Sequence, residues 1–560
     1  MSIVRKEFKI IPLGGIEEIG KNCTVLEFDN DLLILDAGFK FPSADMPGVD
    51  FIIPDFSYVT KRKKNIKGIV LTHGHLDHIG GVSFLLEEVT PPFIIGSDLT
   101  LGLVKEMLSR KARDRIQFRV VKSGDILNLG SFIVEFVHMT HSIPGSFGVG
   151  VTTPEGTIFH TGDFKIDPTP VDGVKIDLST LERLKNRGVT VLLSDSTNAD
   201  EEGFTGSESV VGEALFQIFR NAPGRVIAAT FSTNIHRIQQ FVDTSEKLGR
   251  RVVFDGRSLL ESVKIAKKLG YLRIPEGITS DLASVSTIPK KQLALITTGT
   301  QGEPMSGLVR ISNGRHNGLN ITKGDTVIVS ADPIPGNERV ISDTVNKLFK
   351  LGAFVYYRKE DGIHVSGHCS QEDIRFIIDF VRPKYFIPIH GEYKHLVYSS
   401  KIAVEENINP RNIFILQNGN GISISNGKVR RLPRVQSGDV LVEGNTKIPV
   451  KEGEDLNFIS ERKEMAHNGI LTAVVILGKK GELLHPIRIE TKGLLFPRGL
   501  EGEIIKSVRE KIVETLRKYA KIKTQEELAY EIERGITALF KRSMRKTPTI
   551  FAVVYKEKKR

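Results

Sequence analysis

Residues 73–78 read His-Gly-His-Leu-Asp-His and follow directly on the apolar run Ile69, Val70, Leu71. Imidazole and carboxylate groups are rarely buried without partners, so four of them within six residues at a strand end imply a metal site rather than core. His73 and His75, two apart, can converge on one ion, while Asp77 and His78 follow where the chain turns and can reach a second. Other apolar runs end in the same residue types: His138 and His141 after Phe136-Val137, His160 and Asp163 after Thr157-Ile158-Phe159, Asp195 after Val191-Leu192-Leu193, and His390 after Phe386-Ile387-Pro388-Ile389. Each run is short, β-branched or aromatic and gives way to turn residues, the pattern of a buried strand entering a loop. A pair of divalent ions needs a bridging carboxylate and further imidazoles, and Asp163 and His141 have the right type and place. His138 and His160 lie within or at the end of strands and are read as structural.

Two divalent ions about 3.5–4 Å apart activate water near neutral pH and neutralise charge on a phosphoryl group during in-line displacement, which suits a phosphodiester. Asp195 then orients the nucleophilic water or a ligand histidine. His368, in a Ser-Gly-His turn, is the candidate general acid, since the departing ribose oxygen needs a proton and imidazole titrates near working pH. Gly15 to Lys21 fits the spacing GxxxxGK, but Asn22 replaces the Ser or Thr that would ligate magnesium, and Glu17 and Glu18 repel phosphates. That stretch is read as a β-turn, not a nucleotide loop.

The ordered set HxHxDH, His141, Asp163 and a distant His390 resembles the metallo-β-lactamase superfamily. GIEEIGKN from Gly15, SDSTNAD from Ser194, FSTNIHR from Phe231, GTQGEPM from Gly299, PIPGNE from Pro333, HVSGH from His364 and PIHGEY from Pro388 are similar to its β-CASP branch, and specifically to the ribonuclease J family. The resemblance runs over nearly all of residues 1–430. It implies one zinc on His73, His75 and His141, a second on Asp77, His78 and His390, and Asp163 bridging. It places Asp77, Asp195 and His368 in the catalytic set, and Ser232, His364, Ser366 and His368 around the substrate, the first three holding the 5′ phosphate of RNA. Asp332 departs from the pattern by adding negative charge near that phosphate. Manganese or magnesium are alternatives to zinc, because His and Asp ligands accept them too.

The elements that position these residues follow from the same runs. The expected fold is α/β: a metallo-β-lactamase αββα sandwich with an inserted β-CASP α/β domain and a small α+β C-terminal domain. Residues 1–205 form the first part of the sandwich. Residues 206–360 form the insertion, with parallel strands near Arg225–Phe231, Val252–Asp255, Leu293–Thr297 and Thr326–Ser330. Residues 361–430 return to the sandwich, since His390 belongs to the metal site, and substrate is expected in the cleft between the two. A polar linker at 431–454 leads to residues 455–560, with strands near 470–477 and 550–555 and helices near 502–520 and 526–540.

A chain of 560 residues is too long for one core. Its two cysteines, Cys23 and Cys369, exclude a disulfide framework and favour a cytoplasmic location; no apolar leader or spanning segment stands in the sequence, so no membrane is expected. A net charge of +11 favours a polyanion. Basic runs at Lys61–Lys64, Lys541–Lys546 and Lys556–Arg560 are candidate RNA contacts. The leading function is a two-metal ribonuclease, acting 5′ to 3′ from single-stranded 5′-monophosphate ends and also internally, in rRNA maturation and mRNA decay. A small-molecule hydrolase of the same superfamily would need neither insertion nor phosphate pocket, and a non-catalytic scaffold would not need the complete ligand set. The resemblance further implies a homodimer or homotetramer through the C-terminal domain.

Overall fold

The computed structural model describes residues 6–43, 45–301, 303, 306–334, 337–450, 457–519, 524–544 and 546–557. The chain forms two compact units, Met1–Ser43 with Val49–Glu452, and Ala44–Gly48 with Gly453–Arg560.

The first unit holds a two-sheet sandwich. One sheet has eight strands in the order Lys428–Arg431, Ile422–Ser425, Phe8–Gly14, Cys23–Phe28, Asp31–Leu35, Ile66–Val70, Phe93–Gly96, Gln117–Val120. The other has six, in the order Tyr385–Ile389, Val189–Asp195, Gly156–His160, Phe147–Thr153, Phe132–His138, Ile126–Leu129. Period-two alternation divides each strand between two cores. Leu33 and Leu35 meet Val191 and Leu193 between the sheets. Leu32 and Ile34 pack outward with Leu85, Leu99 and Val104, and Leu192 packs on the far side with Leu184, Ile374 and Ile378. Because both faces of the central strands are covered, those strands read as continuous apolar runs, whereas the outer strands Lys428–Arg431 and Gln117–Val120 are largely exposed and Ile126–Leu129 alternates. Helices therefore flank the sandwich on each side, giving the αββα arrangement.

Between the two parts of the sandwich lies a five-stranded parallel sheet, ordered Arg251–Phe254, Leu293–Thr297, Val226–Ala229, Thr326–Val329, Phe354–Tyr356. The first strand in sequence is central, and the chain winds to one side and then to the other. In such sheets ligands bind beyond the strand C-termini where the winding reverses. The turn containing Ser232 follows that central strand and leads into the helix Ile235–Lys247, capped by Asn234. The chain then returns: Tyr385–Ile389 pairs in parallel with Val189–Asp195, and Ile422–Ser425 pairs with Phe8–Gly14. The stretch 431–454, expected as a linker, instead carries the strands Asp439–Glu443 and Thr446–Pro449, which pair with each other, the first also pairing with Phe51–Pro54. Val440, Leu441 and Val442 are buried there, so apolar burial outweighs the polar, glycine-bounded context. Residues 451–454 lie outside the described residues.

The C-terminal unit packs the helices Glu501–Tyr519 and Gln525–Ser543 on one face of a sheet ordered Arg488–Lys492, Ile470–Leu477, Thr549–Lys556. Leu471, Ala473, Val475 and Leu477 point into that core with Ile512, Ile532 and Phe540. On strand Thr549–Lys556, Phe551, Val553 and Tyr555 are exposed, by 45, 52 and 60%. The strand Arg488–Lys492 had no apolar signature, because Arg488, Glu490 and Lys492 face solvent.

Candidate metal centre

The strand Ile66–Val70 ends in Leu71 and Thr72, after which His73 and His75 turn inward and the short helix Leu76–Ile79 presents Asp77 and His78. His141 follows the strand Phe132–His138, Asp163 follows Gly156–His160, Asp195 ends Val189–Asp195, and His390 follows Tyr385–Ile389. The geometry brings all of these together. His75 Nδ1 lies 3.1 Å from both His73 Nε2 and His141 Nε2, and Asp163 Oδ2 lies 3.6 Å from His73 Nε2 and 4.0 Å from His141 Nε2. On the other side, Asp163 Oδ2 is 3.1 Å from His78 Nε2 and 3.8 Å from His390 Nε2, while Asp77 Oδ2 is 3.1 Å from His390 Nε2. Two groups of four donor atoms thus share Asp163: His73, His75 and His141 on one side, Asp77, His78 and His390 on the other. A third convergence joins Asp163, Asp195, His368 and His390.

Ring nitrogens facing one another at 3.1 Å cannot all satisfy each other with protons, so the donor set suits a divalent metal. The outward atoms are braced. Asp36 accepts from His78 Nδ1 at 2.7 Å and from the Thr72 backbone and hydroxyl, both at 2.8 Å. The Gly367 carbonyl accepts from His141 Nδ1 at 2.7 Å, and Thr197 Oγ1 lies 2.6 Å from His390 Nδ1. Such partners fix which ring nitrogen is free to ligate. Asp36 and His390 both hold left-handed backbone, φ 59° and 53°, a strained choice for non-glycine residues that is common at functional sites. His160 Nδ1 accepts from the Gly162 N–H and so shapes the turn presenting Asp163, and His138 Nε2 lies against the Val174 carbonyl; neither enters the cage.

Electrostatics divide the site. Burial, reinforced by neighbouring imidazoles, pushes His73 and His141 well below the ordinary histidine range, and burial pushes His75 down to about 4, so these three rings are neutral. Burial opposes ionisation of Asp77, Asp163 and Asp195, yet His78 and His390 for the first two, and His368 for the third, hold them below the usual carboxylate range. Against its own burial, Asp195 and Asp163 hold His368 above the ordinary value. Its Nδ1 lies 2.9 Å from Asp195 Oδ2, which leaves Nε2 as the nitrogen free for proton transfer.

His364, Ser366 and His368 share one loop. Asn198 Nδ2 donates to Ser366 Oγ at 2.8 Å, and Thr205 Oγ1 donates to the His368 carbonyl at 2.7 Å. Lys165 Nζ donates to the Ser366 carbonyl at 3.2 Å, while Arg237 and Ser330 both donate to the Ile363 carbonyl. Lys165 and Arg237 are fully buried and meet at Glu208, whose carboxyl they pull down to about 2 against the effect of burial. Ser232 lies on a different segment, half-buried in the turn beyond the C-terminal end of the central strand Val226–Ala229. Of GTQGEPM and PIPGNE, residues 302, 304–305 and 335–336 lie outside the described residues.

Asp36, Thr197, Lys165, Glu208 and Arg237 went unnoticed in the sequence. Only Asp36 carried a usable signal, since Leu32-Leu33-Ile34-Leu35-Asp36 is another apolar run ending in an acid. Among the described residues no helix is long and apolar enough to cross a membrane.

Comparison with known proteins agrees in extent. The metallo-beta-lactamase superfamily model matches residues 17–194, the ribonuclease J beta-CASP domain 223–348, the Zn-dependent metallo-hydrolase RNA specificity domain 355–414, and the ribonuclease J C-terminal domain 457–557. The chain is 38% identical over 557 residues to "Ribonuclease J" of Synechocystis sp., covering 98% of this chain and 86% of that one. It is 38% identical over 502 residues to "Ribonuclease J2" of Bacillus subtilis, covering 89% of each. A protein of unknown function from Enterococcus faecalis V583 superposes with a TM-score of 0.50 at 16% identity, covering 76% of this chain and all of that one, a likeness of fold.

Proposed function

Since the chain belongs to the ribonuclease J family and is a metal-dependent ribonuclease, we propose that it works with two divalent ions per subunit, trimming single-stranded RNA from 5′-monophosphate ends and cutting internally. The observation that carries this reading is the double cage sharing Asp163. His73, His75 and His141 would hold one ion and Asp77, His78 and His390 the other, zinc first, with manganese or magnesium as alternatives. When bound, such ions supply Lewis acidity toward water and the phosphoryl oxygens. His368 gives a proton from Nε2 to the departing ribose oxygen. Asp195 fixes the tautomer and direction of that imidazole through the 2.9 Å bond to Nδ1. Ser232, His364 and Ser366 receive the 5′ phosphate, close to the N-terminus of the helix Ile235–Lys247, where backbone N–H groups favour anions.

In this reading residues 1–205 and 361–430 hold the ions, 206–360 faces the RNA, and 455–560 joins subunits into a dimer or tetramer. The uncovered apolar residues Phe551, Val553 and Tyr555 support the last assignment, and the free, buried Cys23 and Cys369 support a cytoplasmic setting for rRNA maturation and mRNA decay. Metal analysis of the purified protein, paired with digestion of end-labelled RNA, tests the reading. Two metal equivalents per chain and mononucleotide release from 5′-monophosphate ends are expected. One equivalent at saturation would remove the two-ion arrangement, and equal decay of 5′-hydroxyl, monophosphate and triphosphate RNA would remove the phosphate pocket.

A further inference from the structure

We propose that Asp332 is a specificity-determining residue that grades RNA 5′ ends by their charge, admitting a monophosphate weakly and excluding a triphosphate. The inference rests on the assignment of the 5′ phosphate to Ser232, His364 and Ser366.

Asp332 Oδ2 lies 3.7 Å from His364 Nε2, with the Asp332 side chain 54% exposed and that of His364 only 13%. His364 Nδ1 is buried with no hydrogen-bond partner, so the ring proton belongs on Nε2, the nitrogen that faces Asp332. A phosphate accepting from that N–H would therefore sit beside the Asp332 carboxylate, 3.7 Å from the same nitrogen. Burial and the nearby Arg237 push His364 down to about 4, so the ring itself brings no charge to the contest.

The ground beneath the pocket supplies no surplus of positive charge either. Lys165 Nζ lies 3.5 Å from Glu208 Oε1 and 3.8 Å from Asp167 Oδ2, and Arg237 Nη2 lies 2.6 Å from Glu208 Oε2. Two buried cations face two buried carboxylates, and Asp332 adds a third negative charge. The backbone holds it there: Gln301, itself buried, donates from Nε2 to the Asp332 carbonyl at 2.8 Å and accepts from the Ile334 N–H at 2.7 Å. Substitution of the exposed side chain leaves that anchor in place. Repulsion at this range grows with the charge of the entering group, which gives a graded effect rather than a uniform one.

The test is steady-state decay of three RNAs identical except for a 5′ hydroxyl, monophosphate or triphosphate, with the wild type, Asp332→Asn, Asp332→Glu and Ser366→Ala. For Asp332→Asn the KM should fall about tenfold for the monophosphate, more for the triphosphate and least for the hydroxyl, with kcat little changed. Asp332→Glu should keep the wild-type order. A change of equal size on all three ends, or none, overturns the proposal for Asp332 if Ser366→Ala still alters 5′-end preference. If neither substitution alters that preference, the phosphate pocket and the proposal fall together.

Discussion

The metal cage and the proposed phosphate pocket sit in one unit but are built by opposite means. The cage gathers ligands from the ends of strands in two closely packed sheets, is almost wholly buried, and has its outward ring atoms held by Asp36, Gly367, Thr197 and their neighbours. The proposed pocket is drawn from a loop and a turn, His364 to His368 and Ser232, the loop clasped through backbone carbonyls by Lys165, Arg237 and Ser330 while Ser232, His364, Ser366 and His368 are only half-buried. On the proposed reading, chemistry is therefore held by sheet register and recognition by a loop and a turn.

The contrast breaks first at the cage. Asp163→Ala removes the group common to both halves, so metal content should drop and cleavage fall to background while RNA is still bound; measurable turnover with intact metal content would show that the halves do not depend on one bridge. Next, His368→Ala should lower kcat by roughly 10²–10⁴-fold with metal content and KM held, as expected of a lost proton donor. A change confined to KM would move His368 from the chemistry to the pocket. The smallest effect is expected at Asp36→Asn, where a neutral amide supports the His78 ring less well and metal affinity should fall about 10–100-fold, read by competition with a chelating dye. An unaltered affinity would mean that the strained backbone at Asp36, not its charge, is what the site requires.

The cage was legible because its residue types are costly to bury and stood at the ends of apolar runs, a signal that needs no knowledge of partners. Its braces were not. Thr72 and Thr197 belong to a residue type found everywhere, and the roles of Lys165 and Arg237 depend on Glu208, 43 and 29 residues away in the chain. In the inserted sheet the four apolar strands could be read, whereas Phe354–Tyr356, an edge strand of three residues with exposed Phe354, offered too short a pattern. The strands at 439–449 were hidden for a similar reason: a three-residue apolar core between glycines looks like a turn until Phe51–Pro54 supplies its partner. Asp332 was visible as a charge out of place, and the fold shows which imidazole it faces.

The pairing of Tyr385–Ile389 with Val189–Asp195 has a consequence for how the enzyme is born. Translation releases His73 through Asp163 long before His390, and the whole insertion must emerge in between. Until then one flank of the six-stranded sheet is bare and His390 is missing from the cluster around Asp163. The same delay leaves a naked sheet border on the ribosome, the place where chaperones have most to protect.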